Sequence, residues 1–189
     1  MEQNFKQIDK SKFTPVSVMV GRFMPFTVGH HQLLKNMITV APNTKPCIAI
    51  VDRPDPNEKS PFSVDYIISL IKRVMPNVLI IKVSKANFLE IEYKLNKQSC
   101  TLSNVFAGAD RENAYRTFIK HYPETLGHVS VKTISRTMED LGDVSATRVR
   151  DALERDDYKT YSKLVPTAIA GPGMFKELQR QMRKVLGRR

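Results

Sequence analysis

The stretch Gly21-Arg22-Phe23-Met24-Pro25-Phe26-Thr27-Val28-Gly29-His30 follows the apolar run Val16-Ser17-Val18-Met19-Val20 and precedes Leu33, Leu34, Met37 and Val40. The short run suits a buried strand, and the later apolar residues, three or four positions apart, suit a helix packed on it. The ten residues between them are then the turn from strand to helix. There the first backbone N–H groups of the helix lack intrahelical partners, and the positive end of the helix dipole faces the loop, which favours a phosphate. Gly21 allows a sharp turn, Pro25 stiffens the loop, and Gly29 removes side-chain bulk where a ligand would approach. Arg22 and His30 add side-chain donors.

The same alternation continues outward from this loop. Strand-like runs recur at 47–51, 78–83, 105–107 and 129–134, and helix-length segments occupy 63–75 and 88–97. Tyr115, Phe118, Ile119 and Tyr122 repeat helical spacing before the last strand. Strands alternating with helices predict a doubly wound, Rossmann-like α/β fold: a five-stranded parallel sheet with helices on both faces, plus C-terminal helices. Residues 1–14 are expected to be an extension, 15–170 the domain, and 171–189 a basic helix set off by Gly171-Pro172-Gly173. In open parallel sheets ligands bind beyond the carboxyl ends of the strands, above all where strand order reverses. Function is therefore sought in the loops at 21–30, 52–61, 84–86, 108–111 and 135–145.

With 189 residues, 41% of them apolar and 26% charged, the chain can bury the core of one domain and is neither disordered nor collagen-like in composition. No stretch approaches the roughly 18 apolar residues of a membrane span, and residues 1–14 lack the apolar segment of a secretory signal, so a cytoplasmic location is expected. Two cysteines, Cys47 and Cys100, are too few for a disulfide scaffold and lack metal-ligand spacing; Cys47, inside an apolar run, reads as a small hydrophobe. The formal charge of +11 points to anionic partners. Close to half of that excess lies after Pro172, in Lys176, Arg180, Arg183, Lys184, Arg188 and Arg189 against Glu177. Phe175, Leu178, Met182, Val185 and Leu186 form an apolar stripe along the same segment. A terminal helix packed on the sheet or on another subunit is the expected reading, which leaves a homo-oligomer open. Nucleic-acid binding through the basic face is the rival.

Val144-Ser145-Ala146-Thr147-Arg148-Val149-Arg150 provides a second helix start after the fifth strand. Ser145 suits the N-cap, while the exposed N–H groups, Thr147 and Arg150 would face an anion. Together, Thr27-Val28-Gly29-His30 and Ser145-Ala146-Thr147-Arg148-Val149-Arg150 resemble the paired signatures of the nucleotidylyltransferase superfamily, His/Thr-x-Gly-His and Ile-Ser-x-Thr-x-x-Arg. Gly21-Arg22-Phe23 and Pro25-Phe26 are most similar to the nicotinamide-nucleotide adenylyltransferases. Thr27, where those proteins usually carry histidine, is similar to phosphopantetheine adenylyltransferases. Phe106-Ala107-Gly108-Ala109-Asp110 resembles the Gly-x-Asp found beside the nucleotide in many members, and Ser60-Pro61-Phe62-Ser63 resembles the Asn-Pro-Phe-Thr stretch of archaeal-type nicotinamide-nucleotide adenylyltransferases. Lys82-Val83-Ser84-Lys85 resembles the lysine loop of class I aminoacyl-tRNA synthetases but comes too early in the chain for that role.

The resemblance implies an enzyme that joins ATP to a phosphorylated acceptor by in-line attack and releases pyrophosphate, with magnesium carried on the phosphates and held largely through water. Nicotinamide mononucleotide is the acceptor the motif wording favours; a phosphopantetheine-like or phospho-alcohol acceptor, and CTP in place of ATP, stay open. On this resemblance His30, Thr27, Arg22 and Arg150 act in catalysis, and Gly21, Phe23, Gly29, Gly108, Asp110, Ser145 and Thr147 join them around ATP. Asp110 would either accept from a ribose hydroxyl or cap the following helix. Arg53, Lys59 and Lys85, in loops after strands two and three, are candidates for the acceptor phosphate. His31, His121 and His128 read as exposed or structural.

Overall fold

The computed structural model describes residues 10–52, 57–133 and 144–187. Five strands, β1 (Thr14–Gly21), β2 (Lys45–Val51), β3 (Leu79–Val83), β4 (Cys100–Ala107) and β5 (Ser130–Thr133), form one sheet in the order β3-β2-β1-β4-β5, all parallel. Helices α1 (Val28–Val40), α2 (Val64–Val74), α6 (Ala146–Glu154), α7 (Tyr158–Leu164) and α8 (Pro172–Val185) bury their apolar sides with Met19, Ile48, Ile50 and Phe106. Helices α3 (Phe88–Asn96), α4 (Ala109–Lys120) and α5 (Pro123–Leu126) cover the opposite face, over Val16, Val18, Cys47 and Val105. Strands covered on both faces need apolar residues on both sides, which is why they read as continuous apolar runs. The strand order reverses beside β1, so the loops after β1 and β4 open the crevice expected to bind a ligand.

Helix starts follow local chemistry. Thr27, Ser63, Asn87, Ser145 and Asp157 each cap the helix that follows through a side-chain oxygen. Asp110 does not: the N-cap of α4 is Gly108, with no side-chain capping bond, and Asp110 lies inside the first turn. A carboxylate there favours the helix dipole without closing a cap.

Strand β4 begins at Cys100, well ahead of its apolar end, because buried partners satisfy its polar residues. The Glu92 carboxylate, 2% exposed, accepts from the Leu102 N–H at 2.7 Å and from the Thr101 hydroxyl at 3.0 Å. Asn104 donates to the Ser17 hydroxyl at 3.0 Å, and that hydroxyl pairs with Thr44 at 2.6 Å. Loss of Glu92 strands a buried N–H, so Glu92→Ala is expected to lower stability by about 2–3 kcal/mol, read from denaturant unfolding.

The C-terminal segment folds back rather than standing apart. Helix α8 buries Phe175, Leu178 and Met182 in the same core as α6 and α7, and leaves Lys176, Arg180, Arg183 and Lys184 exposed. Gln179 on its buried side donates to the Leu153 carbonyl at 2.8 Å and to Asp156 at 2.9 Å, tying α8 to the end of α6. Most of the apolar stripe thus serves packing, Val185 at its end stays exposed, and the charges face solvent. No described helix is long and apolar enough to cross a membrane.

Candidate active site

The spacing Thr27-Val28-Gly29-His30 makes a capping box at the start of α1. The Thr27 hydroxyl accepts from the His30 N–H at 3.3 Å, and the Thr27 N–H donates to His30 Nδ1 at 3.1 Å. Histidine here takes the place that glutamate or glutamine fills in the common form of the box. A backbone N–H can only donate, so Nδ1 accepts, which in the neutral imidazole puts the ring proton on Nε2. The Thr27 Oγ1 lies 3.0 Å from the same Nδ1. Thr27 is itself 2% exposed and does not line the cleft; its hydroxyl is directed to the helix end and the imidazole.

Two phenylalanines complete the setting of the ring. Phe23 meets His30 edge to face with centroids 5.0 Å apart, and Phe26 stacks on it at 5.7 Å. Phe23 has a φ of +55°, a conformation that costs free energy outside glycine and that turns its ring back over the loop. A Cβ on Gly21 would lie 3.0 Å from that ring, so glycine makes room for it. The aromatic rings therefore fix the plane of the imidazole while the capping box fixes its tautomer.

The second helix start meets the first. Ser145 accepts from the Arg148 N–H at 3.2 Å and caps α6. Arg150, one turn on, donates to the Met24 carbonyl at 2.7 Å and to the Thr147 hydroxyl at 3.2 Å. Burial lowers the Arg150 pKa and the Arg22 charge adds to that, while Asp151 and Glu154 oppose it. Arginine nevertheless stays charged. Arg22 extends from the first loop to donate to Ser60 at 3.2 Å. Arg22 and Arg150 line the same hollow, where their charges favour an anion.

These elements enclose two adjoining hollows. One, of about 550 Å³, is lined by Gly21, Arg22, Phe23 and His30 with Lys59, Lys85, Gly108, Asp110, Arg111 and Tyr115. The other, of about 680 Å³, is lined by Arg22, Phe23, Met24 and His30 with Lys59, Arg111, Ala146, Thr147, Arg150 and Met182, and by the carboxylates of Glu58, Asp151 and Glu154. The stretches ending at His30 and starting at Ser145 thus share a cleft. Gly29 and Ser145 do not line it but sit behind it at the two helix starts, where a Cβ on Gly29 would lie 3.7 Å from the Val144 side chain. Arg53 lies outside the described residues, as does most of the loop after β5. Arg111 belongs to the loop at 108–111 in which function is sought, though the sequence gives it no specific role, and Tyr115 reads there only as part of an apolar helix face. His31 is half-buried, 6.4 Å from Phe26, and burial lowers its pKa with Lys35 adding to the effect. Among the described residues no group of three or more His, Cys, Asp or Glu side chains is placed to hold a metal ion.

The two helix starts thus meet in one cleft beside the point where the strand order reverses. The family described as Cytidylyltransferase-like matches residues 18–152, and the chain belongs to that family. A search of curated proteins gives no match. Among solved structures, a bifunctional NMN adenylyltransferase/ADP ribose pyrophosphatase from Francisella tularensis superposes with a TM-score of 0.61 at 20% identity, over 93% of this chain and 52% of that one. A structure of the Francisella tularensis bifunctional enzyme complexed with AMP and a manganese ion gives 0.55 at 20% identity, over 90% and 52%. Nicotinic acid mononucleotide adenylyltransferase from Plasmodium falciparum, complexed with NaAD, gives 0.58 at 11% identity, over 91% and 97%. The chain spans about half the length of the Francisella proteins, and at these identities the likeness is one of fold.

Proposed function

We propose that the protein transfers the adenylyl group of ATP to nicotinamide mononucleotide, forming NAD and pyrophosphate. An oxygen of the acceptor phosphate attacks the α-phosphorus of ATP in line. The new P–O bond forms as the bond to the bridging oxygen breaks, and pyrophosphate leaves with the electron pair. No enzyme nucleophile takes part. Both reactants are anions, so catalysis consists of holding them together in line and stabilising charge on the phosphorus oxygens and the leaving group.

The observation that carries this reading is the position of His30, shared by both hollows, with Nδ1 accepting from the Thr27 N–H. His30 donates to the α-phosphate, and Thr27 acts behind it as the group that sets the imidazole tautomer. Arg22, Arg150 and the free N–H groups at the start of α6 receive the β- and γ-phosphates. Gly108 lets the nucleotide approach the end of β4, and Asp110 accepts from a ribose hydroxyl. Lys59 and Lys85, with Arg53, bind the acceptor phosphate. Magnesium arrives with ATP as part of the substrate and neutralises phosphate oxygens.

Purified protein supplied with magnesium, each of the four nucleoside triphosphates and a panel of phosphorylated acceptors is expected to release pyrophosphate fastest from ATP with nicotinamide mononucleotide, yielding the dinucleotide. The description of the matching family favours cytidylyl transfer as the second reading. Faster condensation from CTP, or from ATP with a phosphopantetheine-like or phospho-alcohol acceptor, would replace the proposed substrates. An absence of pyrophosphate release in every combination would overturn transfer itself.

A further inference from the structure

Arg111 reaches the line where the two hollows meet, together with Arg22, Phe23, His30 and Lys59. Strand order explains how these groups converge. Lys59 follows β2 on one side of β1, and Arg111 follows β4 on the other, so the loop bearing His30 is flanked by cations.

The location of Arg111 opposes its own helix. It is the third residue of α4, where the dipole disfavours positive charge, and the residues that suit that turn are its neighbours Asp110 and Glu112. Its ties to the protein are loose. Nε lies 3.6 Å from an Asp110 oxygen, with the two side chains 64% and 71% exposed, a pairing of little energetic weight. The guanidinium also lies near Tyr115, whose buried ring forms part of the first hollow and whose hydroxyl pKa burial raises while the Arg111 charge lowers it. A cation placed against its helix dipole, weakly paired and reaching both hollows is positioned for an anion that spans them.

Building on the transfer reading above, we propose that Arg111 is a catalytic residue whose guanidinium bonds the phosphoryl group in transit, from the side facing away from Lys59. Its planar fork can engage two phosphorus oxygens at once as the acceptor bond forms and the pyrophosphate bond breaks. Arg111 keeps all its protons throughout.

The test compares wild type, Arg111→Gln and Arg111→Lys, using the triphosphate and acceptor that give the fastest pyrophosphate release. Arg111→Gln is expected to lower kcat about 100-fold and to change each KM by less than about threefold. Arg111→Lys should recover little of the loss, and added guanidinium ion should restore part of it in Arg111→Gln. Thermal melting of this exposed-site variant should match wild type. A kcat within about twofold of wild type, or a loss confined to the KM of one substrate, would overturn the proposal. A wild-type protein that consumes no triphosphate with any acceptor would instead overturn the functional reading, and this role with it.

Discussion

Replacing His30 with glutamine lowers turnover by about 100- to 1000-fold and leaves the protein as stable as wild type. Glutamine is a natural partner in a capping box, so its side chain can accept from the Thr27 N–H as Nδ1 does now. What disappears is the Nε2 donor in the cleft. His30→Ala removes both the donor and half of the box, so it should lose similar activity and also about 0.5–1 kcal/mol of stability. Steady-state kinetics and denaturant unfolding on the two variants separate the roles. If His30→Gln kept more than about a tenth of wild-type turnover, the imidazole would not be stabilising the transition state. Equal stability of the two variants would show that the box contributes nothing to α1.

The second large effect is expected at Arg150. Its guanidinium holds the first loop to α6 through the Met24 carbonyl at 2.7 Å and supplies charge to the second hollow. Arg150→Ala should reduce kcat/KM for the triphosphate about 100-fold or more, because it removes an anion contact and leaves the Met24 carbonyl without that donor. Arg150→Lys should recover less than about a tenth of the loss, since one ammonium cannot reproduce a planar fork that meets a carbonyl, a hydroxyl and a phosphate in different directions. Full recovery by lysine would reduce the role of Arg150 to charge alone. Normal activity in Arg150→Ala would remove it from the site.

Both predictions depend on features that were unequally visible in the chain. Thr27 and His30 are three residues apart, the separation at which a side chain at a helix start meets the backbone, so their bond is written in local spacing. The same holds for Ser145 and Arg148. The contact between Arg150 and Met24 joins residues 126 positions apart, and no periodicity encodes it. The early start of β4 was likewise hidden, because Thr101, Ser103 and Asn104 read as polar until Glu92 and Ser17 are seen beside them. Helix α7 escaped notice because its apolar contacts, Tyr161 and Leu164, are few and close to Pro166.

By itself, the sequence determined the alternation of strands and helices, the two capped helix starts and the presence of His30 and Arg150 just inside them. These properties depend on interactions spanning a few residues, within reach of propensity and spacing. Only the tertiary structure decided that Thr27 stands behind the imidazole, that Phe23 and Phe26 hold its plane, and that Arg111 and Lys59 flank the junction of two hollows. Those contacts arise from the order in which the strands lie side by side, with β1 between β2 and β4, and that order is set by how the two apolar faces of the sheet are covered.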